Sequence, residues 1–391
     1  MNFDARSRSS ESAMKGCSVL ITKNEFAVLA ALEREPGTSQ RAIAARKAMS
    51  LGSVNAAYKA LVDKGLVNVA LFWGEGLEDV FGQTLNQSLR EYGIKTAYKQ
   101  DVRYINIEEI TKIAFNLPAN LEAIVGIGGG RALDFAKYTA HLLKLPFISI
   151  PTSTSNDGFC SPNCSLLVDG RRKSVKSSIP FGVVIDLDVI RSCPLICFYS
   201  GLGDMISKVT ALWDWKKAFQ KGYERYNDFA SLMAYNSLDL LFIKHSFDVK
   251  APEFQRSLTN SLLISGIAME IAGTSRPASG SEHLISHALD QVCRRPQMHG
   301  LQVGVATYLC ALLQNNPTVE SVREVLLNTG FFAYVRQNPF DKDEFVTALR
   351  LAPSIKKDYY TILSEPDSFD RALQLIESDS ILTTLIKKNL G

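Results

Sequence analysis

The chain has 391 residues, of which 46% are hydrophobic and 21% are charged, and these values predict two or three globular domains with full cores. No run of about 18 uncharged apolar residues occurs. The charged start, MNFDARSRSSES, lacks the apolar segment of a secretory signal, and seven scattered cysteines fit reduced thiols. The sequence therefore predicts a cytoplasmic protein without membrane insertion.

The net charge of +3 is unevenly distributed along the chain. Residues 1–68 contain ten Lys or Arg against six Asp or Glu, whereas the remainder contains 33 against 34. A basic N-terminal segment on a neutral body is compatible with a polyanionic partner such as DNA.

Residues 22–68 have the pattern of three short helices. Thr22 can cap the first helix, Thr38 or Ser39 starts the second, and Ser50 caps the third. Helix, helix, short turn and helix within fewer than 50 residues resemble the helix-turn-helix of winged-helix regulators.

In this interpretation Ser50–Lys64 is the recognition helix. Three-helix units also serve in dimerisation or docking, and the chain leaves little room for a wing, so an interaction role is favoured over DNA contact. We assign residues 1–18 to a disordered tail and residues 19–68 to a small winged-helix-like three-helix domain.

From Val69 the pattern changes to alternating strands and helices, which predicts a parallel sheet covered by helices. The segments in order are VALFW, Asp79–Tyr92, IKTAY, Glu108–Leu117, EAIVGI, Ala132–Lys144, FISI, a hairpin turning at Asp169-Gly170, and GVVIDLDVI. Beyond about Ser200 strand signals disappear, and amphipathic helices such as Asp204–Gln220 and Phe229–Ser246 dominate. The prediction is an α/β domain over residues 69–192 and an all-α domain over residues 193–391.

A glycine-rich turn, GIGGG at residues 126–130, lies between the strand EAIVGI and a helix. Glycines there allow backbone amides to approach a pyrophosphate, and the helix N-terminus adds a positive partial charge. The turn departs from G-x-G-x-x-G because the sixth position is Arg131. On this motif alone, a nucleotide site and a plain tight turn are both open.

Three of the five histidines, His283, His287 and His299, fall within seventeen residues. His283 and His287 are four residues apart and share a helix face, while His299 opens the next helix. Two histidines from neighbouring helices plus a carboxylate form the open three-ligand site typical of a catalytic metal. Asp204, predicted at the start of the first helix of the helical domain, is the candidate carboxylate, and a helix N-cap is its simpler role.

Five segments occur together in one order: GIGGGRALDFAK, PTSTSNDGFCSP, GLGDMISK, PASGSEHLISHALD and HGLQVGVATYL. In this combination the chain resembles the sn-glycerol-1-phosphate dehydrogenases, a branch of the superfamily that includes dehydroquinate synthase, glycerol dehydrogenase and iron-containing alcohol dehydrogenases. The resemblance covers about residues 69–310 and implies a dehydroquinate synthase-like fold. It does not cover residues 1–68, which the family usually lacks.

The resemblance also implies functional residues. A divalent metal is held by Asp204, His283 and His299, substrate hydroxyls are held by Asp157 and His287, and Asp204 touches the substrate as well. NAD or NADP lies along the glycine turn and the polar loop after FISI. The implied cofactor-binding residues are Gly128, Gly129, Gly130, Arg131, Ala132, Leu133, Asp134, Thr152, Ser153, Thr154, Ser155 and Ser161.

The implied reaction is the NAD(P)H-dependent reduction of dihydroxyacetone phosphate to sn-glycerol 1-phosphate, a building block for a lipid or envelope polymer. The metal stabilises the developing alkoxide, and His287 is placed to relay a proton. Alternative interpretations are a dehydrogenase for another polyol or polyol phosphate, and a DNA-binding regulator whose enzyme-like body senses a ligand. The lyase branch, dehydroquinate synthase, fits less well because it expects Glu at the first ligand.

The sequence leaves several properties open. Two histidines and a carboxylate suit zinc, iron or nickel. Lys99-Gln100-Asp101, after the second predicted strand, do not separate NAD from NADP. A homo-oligomer is compatible with the sequence. Candidate partners for a substrate phosphate are Arg171, Arg172, Lys173, Lys176 and Lys208, although a run such as RRK is typical of a solvated hairpin tip.

Overall fold

The computed structural model describes residues 27–28, 39–46, 50, 52–56, 59, 67–242 and 247–388. The labelled helices are α1 (Gln40–Arg46), α2 (Leu77–Glu91), α3 (Ile107–Asn116), α4 (Gly130–Leu143), α5 (Leu187–Arg191), α6 (Leu195–Ile206), α7 (Lys208–Gln220), α8 (Asp228–Phe242), α9 (Pro252–Ala272), α10 (Ser281–Val292), α11 (His299–Leu313), α12 (Val319–Asn328), α13 (Phe331–Val335), α14 (Lys342–Leu351), α15 (Ser368–Ser378) and α16 (Leu382–Leu385). The strands are β1 (Val67–Gly74), β2 (Ile94–Val102), β3 (Ala123–Gly128), β4 (Phe147–Pro151), β5 (Asn163–Val168), β6 (Arg171–Lys176), β7 (Gly182–Val183), β8 (Phe340–Asp341) and β9 (Ile386–Lys387).

The described part of the N-terminal region is helical and contains two of the predicted helix caps. Ser39 Oγ accepts a hydrogen bond from the Ala42 N–H at 3.2 Å, and Ser50 Oγ accepts one from the Ser53 N–H at 3.0 Å. These serines satisfy amides that the first turn of a helix leaves without partners. The predicted tail, the cap at Thr22 and the end of the recognition helix at Lys64 lie outside the described residues.

Five strands form one parallel sheet in the order β2-β1-β3-β4-β7, as the alternating pattern predicts. Phe72 and Ile124 point to the face that joins the main core with α4 and the helical half of the chain. Leu71 and Val125 point to the other face, where Leu85 of α2 packs against them. The central strands are buried on both faces, which explains why they read as continuous apolar runs.

The hairpin is confirmed, whereas the strand predicted after it is wrong over most of its length. β5 and β6 pair antiparallel, and their turn residues Asp169 and Gly170 have φ values of 53° and 72°. Within GVVIDLDVI only Gly182–Val183 is a strand. Asp186 ends the extended segment because its carboxylate caps α5, accepting from the N–H groups of the second and third residues that follow.

The helical half departs from the sequence prediction around Asp204. The predicted helix Asp204–Gln220 is divided at Ser207, and Asp204 lies in the last turn of α6 rather than at a helix start. The Asp204 carbonyl accepts from Ser207 Oγ and from Lys208 Nζ, both at 2.7 Å, so it is engaged by side chains where the helix breaks. Asp204 is therefore not an N-cap.

Two smaller findings complete the helical half. β8 and β9 form a two-residue parallel pair, which corrects the expectation that strands disappear beyond Ser200. The predicted helix Phe229–Ser246 corresponds to α8, and its last four residues lie outside the described ranges. Among the described residues, one helical stretch, Leu195–Gln220, is long and apolar enough to cross a membrane, and 78% of its most apolar window is buried inside the fold.

Candidate active site

Asp204, His283 and His299 converge from three different helices. His283 Nε2 lies 3.4 Å and His299 Nε2 lies 3.8 Å from Asp204 Oδ1. The three potential ligand atoms all lie within 4.8 Å of one another, and Asp204 is 1% exposed. Three residues that are up to 95 positions apart in the sequence thus meet at one point.

The two imidazoles are oriented by hydrogen bonds on their other ring nitrogens. His283 Nδ1 is 2.9 Å from Glu282 Oε1, and His299 Nδ1 is 3.0 Å from Ser286 Oγ. Partners of this kind fix the tautomer and ring orientation of metal-binding histidines. Both Nε2 atoms are therefore directed towards the Asp204 carboxylate.

The chemistry and spacing of these donors fit a divalent metal. Metal–ligand bonds of about 2.0–2.2 Å in a tetrahedral site separate neighbouring ligand atoms by about 3.4 Å. Burial alone would raise the pKa of Asp204, but Lys208, His283 and His299 outweigh it and hold that pKa well below its usual range. Burial, and then the neighbouring His283, lower the pKa of His299 to about 3, so its imidazole is neutral. Burial alone would lower the pKa of His283, but Asp204 and Glu282 outweigh it and raise that pKa. Metal binding needs an ionised carboxylate and neutral imidazole nitrogens, so a bound cation would displace a proton from His283.

Asp157 connects the sheet half to this cluster. Its backbone N–H donates to Asp204 Oδ2 at 2.9 Å, and its side-chain Oδ2 accepts from Lys208 Nζ at 3.1 Å and Ser265 Oγ at 2.7 Å. Lys208 is fully buried between Asp157 and Asp204. The structure therefore places Lys208 as an ion-pair partner behind the cluster and removes it from the candidates for phosphate binding.

His287 faces the same space without completing the cluster. Its ring centroid lies 6.3 Å from that of His283 and 6.0 Å from that of His299. Burial, followed by the charges of His299 and Lys356, lowers the pKa of His287 well below its usual value. Among the described residues its ring nitrogens have no hydrogen-bond partner, so a neutral imidazole is left facing the cavity.

A cavity of about 150 Å³ is lined by all of the predicted metal and substrate residues and by two of the predicted cofactor residues. The predicted residues that line it are Asp134, Asp157, Ser161, Arg172, Asp204, His283, His287 and His299. Asp134 was expected at the dinucleotide, but here it accepts from the Ser165 N–H at 2.9 Å and lies 3.2 Å from Lys137 Nζ. Ser161 Oγ donates to the Asn163 carbonyl at 3.2 Å.

The glycine turn and the polar loop lie side by side at the carboxyl ends of β3 and β4. The Thr152 N–H donates to the Gly128 carbonyl at 3.0 Å, and a Cβ at Gly129 would lie 3.6 Å from Ser153 Oγ. Gly128 has φ +147°, and a Cβ there would come within 3.1 Å of the Gly74 backbone, so only glycine fits. The first turn of α4 starts at Gly130, where helix amides are available to an anion.

The other predicted cofactor residues divide into exposed and buried positions. Arg131 is exposed, whereas Ala132 and Leu133 are each 1% exposed in the core, so they can offer only backbone atoms. Thr154 is fully buried, and the Ser155 carbonyl accepts from Ser200 Oγ at 2.8 Å. Lys99-Gln100-Asp101 lie within β2 rather than after it, and Lys99 pairs with Glu78 at 2.6 Å.

Sequence reasoning missed three residues around the cavity. Glu282 precedes a predicted ligand but had no assigned role, Ser279 lines the cavity with a buried hydroxyl, and Lys356 arrives from the C-terminal part of the chain. A motif signal existed only for Glu282 and Ser279, which lie in PASGSEHLISHALD. Arg171, Lys173 and Lys176, three of the predicted phosphate candidates, are exposed on β6 and do not line the cavity.

The N-terminal segment and the body of the chain are each similar to known proteins. Residues 49–194 match the family model described as iron-containing alcohol dehydrogenase, and residues 21–68 match winged helix-turn-helix DNA-binding. The chain is 33% identical over 301 residues to the glycerol-1-phosphate dehydrogenase of Thermococcus sibiricus, covering 76% of this chain and 85% of that protein. It is 35% identical over 300 residues to that of Aeropyrum pernix, covering 75% and 83%.

Solved structures confirm the predicted fold class of a parallel-sheet domain followed by a helical domain. Glycerol dehydrogenase from Schizosaccharomyces pombe superimposes with a TM-score of 0.66 at 19% identity, over 82% of this chain and 84% of that chain. Sulfoacetaldehyde reductase from Bifidobacterium kashiwanohense, in complex with NAD+, gives 0.62 at 15% identity, over 81% and 92%. With the sequence identities above, these findings show that the chain belongs to the glycerol-1-phosphate dehydrogenase family, with a helix-turn-helix segment at its N-terminus.

Proposed function

We propose that the chain catalyses the reversible, NAD(P)H-dependent reduction of dihydroxyacetone phosphate to sn-glycerol 1-phosphate. The names of the relatives from Thermococcus sibiricus, Methanosarcina acetivorans and Pyrococcus abyssi support this activity. The observation that carries it is the Asp204, His283 and His299 cluster, which opens onto a cavity with Asp157 and His287. In this proposal residues 69–192 bind the dinucleotide, residues 193–391 supply the metal ligands, and the enzyme acts in the cytoplasm.

Asp204, His283 and His299 are the proposed ligands of one divalent cation, for which zinc, nickel and iron are candidates. Such a cation supplies Lewis-acid stabilisation of negative charge on the substrate oxygen, worth several kcal/mol. The protein's own part is to keep Asp204 ionised and both Nε2 atoms aimed at it, through Lys208, Glu282 and Ser286.

A bound dinucleotide would supply a hydride for the carbonyl carbon, and the protein must then provide a proton for the carbonyl oxygen. Asp157, fixed by Lys208 and Ser265, is the proposed acceptor for a substrate hydroxyl. His287 is the proposed partner of a second substrate hydroxyl, to which its ring N–H donates. A neutral imidazole relays a proton by donating from one nitrogen and accepting at the other, which is the role we assign to His287.

The proposed dinucleotide site runs along Gly128–Asp134 and Thr152–Ser155, with Ser161 nearby. Its support is the contact between the glycine turn and the polar loop at the carboxyl ends of the strands, where α/β sheets bind nucleotides. The backbone amides at the start of α4 would hold the pyrophosphate.

The test is turnover by the purified full-length protein loaded with Zn²⁺, Ni²⁺ or Fe²⁺. We expect loss of NADH or NADPH absorbance with dihydroxyacetone phosphate, and a product that a glycerol-3-phosphate dehydrogenase does not oxidise. A panel with dihydroxyacetone and other polyol phosphates separates the alternative substrates. Absence of turnover with all three metals would contradict the proposal.

A pair of histidine variants tests the assignment of the metal site. His283→Ala is expected to lower both the bound metal and the turnover to near background, because it removes a ligand. His141→Ala is the matched control, since His141 is exposed on α4 and does not line the cavity. Equal metal content in the two variants would refute the site.

A second function at the N-terminus is favoured by the match of residues 21–68 to a DNA-binding family. We propose that this segment contacts DNA, with exposed basic residues such as Arg41 and Lys59 near the backbone. Gel-shift titration of the full chain against its upstream DNA should show affinity that falls steeply with salt. Absent or salt-insensitive binding would leave an interaction role as the alternative.

A further inference from the structure

Two basic side chains line the cavity beside the Asp204, His283 and His299 cluster. Arg172 comes from the β5–β6 hairpin and Lys356 from the chain after α14, so they belong to different halves of the fold. Among the residues that the structure describes, neither has a carboxylate within ion-pair distance. Both charges act on His287 and lower its pKa, so both lie within electrostatic range of the proposed hydroxyl-binding histidine.

Lys356 is held in place by an aromatic ring. Its Nζ lies 4.5 Å from the centroid of the Tyr359 ring, and Arg276 Cζ lies 3.4 Å from the same centroid. The Tyr359 hydroxyl donates to the Ser279 carbonyl at 2.5 Å, which fastens this segment to the loop before α10. Arg276 forms an ion pair with Glu224, whereas Lys356 has no ion-pair partner among the described residues.

The surroundings of Lys356 are suited to binding an anionic ligand. Burial, and then the charge of Arg276, lower the pKa of Lys356 to about 8. Beside it, Ser279 is 6% exposed and its Oγ lines the cavity without a hydrogen-bond partner in the described structure. A half-buried ammonium group and an unused hydroxyl donor are groups that a phosphate oxygen satisfies.

We propose that Lys356, with Ser279 and Arg172 on the lining of the same cavity, binds the phosphate group of the substrate. This inference rests on the proposed function and specifies the orientation of the three-carbon substrate in the cavity. The carbonyl and hydroxyl end faces Asp204, Asp157 and His287, and the phosphate lies at the Lys356 end. Arg172 is the secondary cation because it also faces Asp134 and Asp290, whose pKa values burial raises and the charge of Arg172 partly offsets.

The experiment compares dihydroxyacetone phosphate with dihydroxyacetone, which lacks only the phosphate. For the Lys356→Gln holoenzyme, the ratio of the two kcat/KM values is expected to fall about 10- to 100-fold, as for loss of a hydrogen bond to a charged group. Lys357→Gln is the matched control, because Lys357 is the exposed neighbour that does not line the cavity, and its ratio should stay at the wild-type value. Inhibition by inorganic phosphate should weaken in parallel in Lys356→Gln and stay unchanged in Lys357→Gln.

Further variants keep the outcome decisive if Lys356→Gln folds poorly. Lys356→Arg retains the charge and should keep most of the phosphate preference, whereas Arg172→Gln should lose part of it. An unchanged ratio in a folded, metal-loaded Lys356→Gln protein, or equal losses in Lys356→Arg and Lys356→Gln, would overturn this inference. A wild-type enzyme that does not reduce dihydroxyacetone phosphate at all would instead contradict the proposed function.

Discussion

Glu282 is a buried carboxylate that orients one of the proposed metal ligands, His283. Its Oε1 accepts from the Gly280 N–H at 2.6 Å and faces His283 Nδ1 at 2.9 Å, and its Oε2 accepts from Thr210 Oγ1 at 2.7 Å. Burial would raise the pKa of Glu282, but His283 and these donors outweigh it and lower that pKa. An ionised carboxylate on Nδ1 makes Nε2 of His283 a stronger donor to a metal.

Glu282→Gln tests the charge without removing the shape. The glutamine carbonyl can still accept from Gly280 and His283, and its amide group can donate to Thr210. Metal affinity is expected to fall about 10- to 100-fold while the fold is retained, as measured by competition with a chelator and by thermal unfolding. Glu270→Gln, at an exposed position of α9, should bind metal like the wild type, and a Glu282→Gln protein with wild-type affinity would show that the charge has no effect.

Cys197 is the described thiol that we expect to react first with alkylating reagents. The hydrogen bond from Cys193, followed by that from Ser153, outweighs burial and lowers the pKa of Cys197 to about 7. Burial raises the pKa of Cys160 to about 11 and that of Cys164 to about 12. A lowered pKa means that the reactive thiolate is present from about pH 7 upwards.

Brief iodoacetamide treatment followed by mass spectrometry should therefore label Cys197 before Cys160 and Cys164, with a rate that rises through about pH 7. Bound NAD(P)+ should slow the labelling, because Ser153 belongs to the proposed dinucleotide loop. Cys197→Ser provides the control for assignment of the modified peptide. Earlier labelling of Cys160 or Cys164 would contradict the predicted order.

At the residue scale, the sequence predicted the cluster but not its surroundings. Three of five histidines within seventeen residues, two of them at helical spacing, are a strong local signal for a metal site. Lys356 has no comparable signal, because it reaches the cavity only through the packing of Tyr359 against the loop before α10. Lys208 is a candidate for phosphate binding in the sequence, but in the structure it is buried and pairs with Asp157 and Asp204.

At the scale of elements, close contact between α6 and α11 sets the position of Asp204 against His299. A Cβ at Gly203 would lie 1.9 Å from the Gly300 carbonyl oxygen, and a Cβ at Gly300 would lie 1.7 Å from the Ser200 carbonyl oxygen. The two helices can therefore approach only with glycines at these positions. One of them directly precedes Asp204 and the other directly follows His299, so the same contact joins two of the proposed metal ligands.

Gly203→Ala is expected to separate α6 from α11 and to displace Asp204. Because the clash is with rigid backbone, the free energy of unfolding should fall by about 1 to 3 kcal/mol, and metal affinity should fall with it. Gly182→Ala is the control, since its Cβ would make an ordinary 3.4 Å contact with Ile148. Chemical denaturation and metal titration measure both effects, and a stable Gly203→Ala protein with normal metal affinity would show that the helix contact is not required.

Elements were predictable where periodicity was strong and less so where side chains compete with the backbone. The alternation from Val69 onwards predicted the parallel sheet and the hairpin turn correctly. The strand prediction for GVVIDLDVI is wrong because Asp186 caps a short helix. The prediction of one continuous helix over Asp204–Gln220 is wrong because side chains donate hydrogen bonds to the Asp204 carbonyl. Periodicity alone does not report such local hydrogen bonds.

At the scale of the whole molecule, one loop of the α/β half is fastened to three helices of the helical half. The Ser155 carbonyl accepts from Ser200 of α6, and Asp157 contacts Lys208 of α7 and Ser265 of α9. The polar loop after β4 also contacts the glycine turn. The proposed dinucleotide site and the proposed metal site are therefore joined through the same few residues.

Lys208→Met should uncouple these halves and destabilise the fold. Lys208 is the buried cation that faces both Asp157 and Asp204, and removal of one partner of a buried ion pair costs about 3 to 5 kcal/mol because the remaining charges lose compensation. Urea denaturation of metal-free protein is the measurement, since a bound cation would itself compensate Asp204. Lys216→Met, at an exposed position of the same helix α7, should unfold like the wild type. Equal stabilities of the two variants would mean that the buried carboxylates do not depend on Lys208 for compensation.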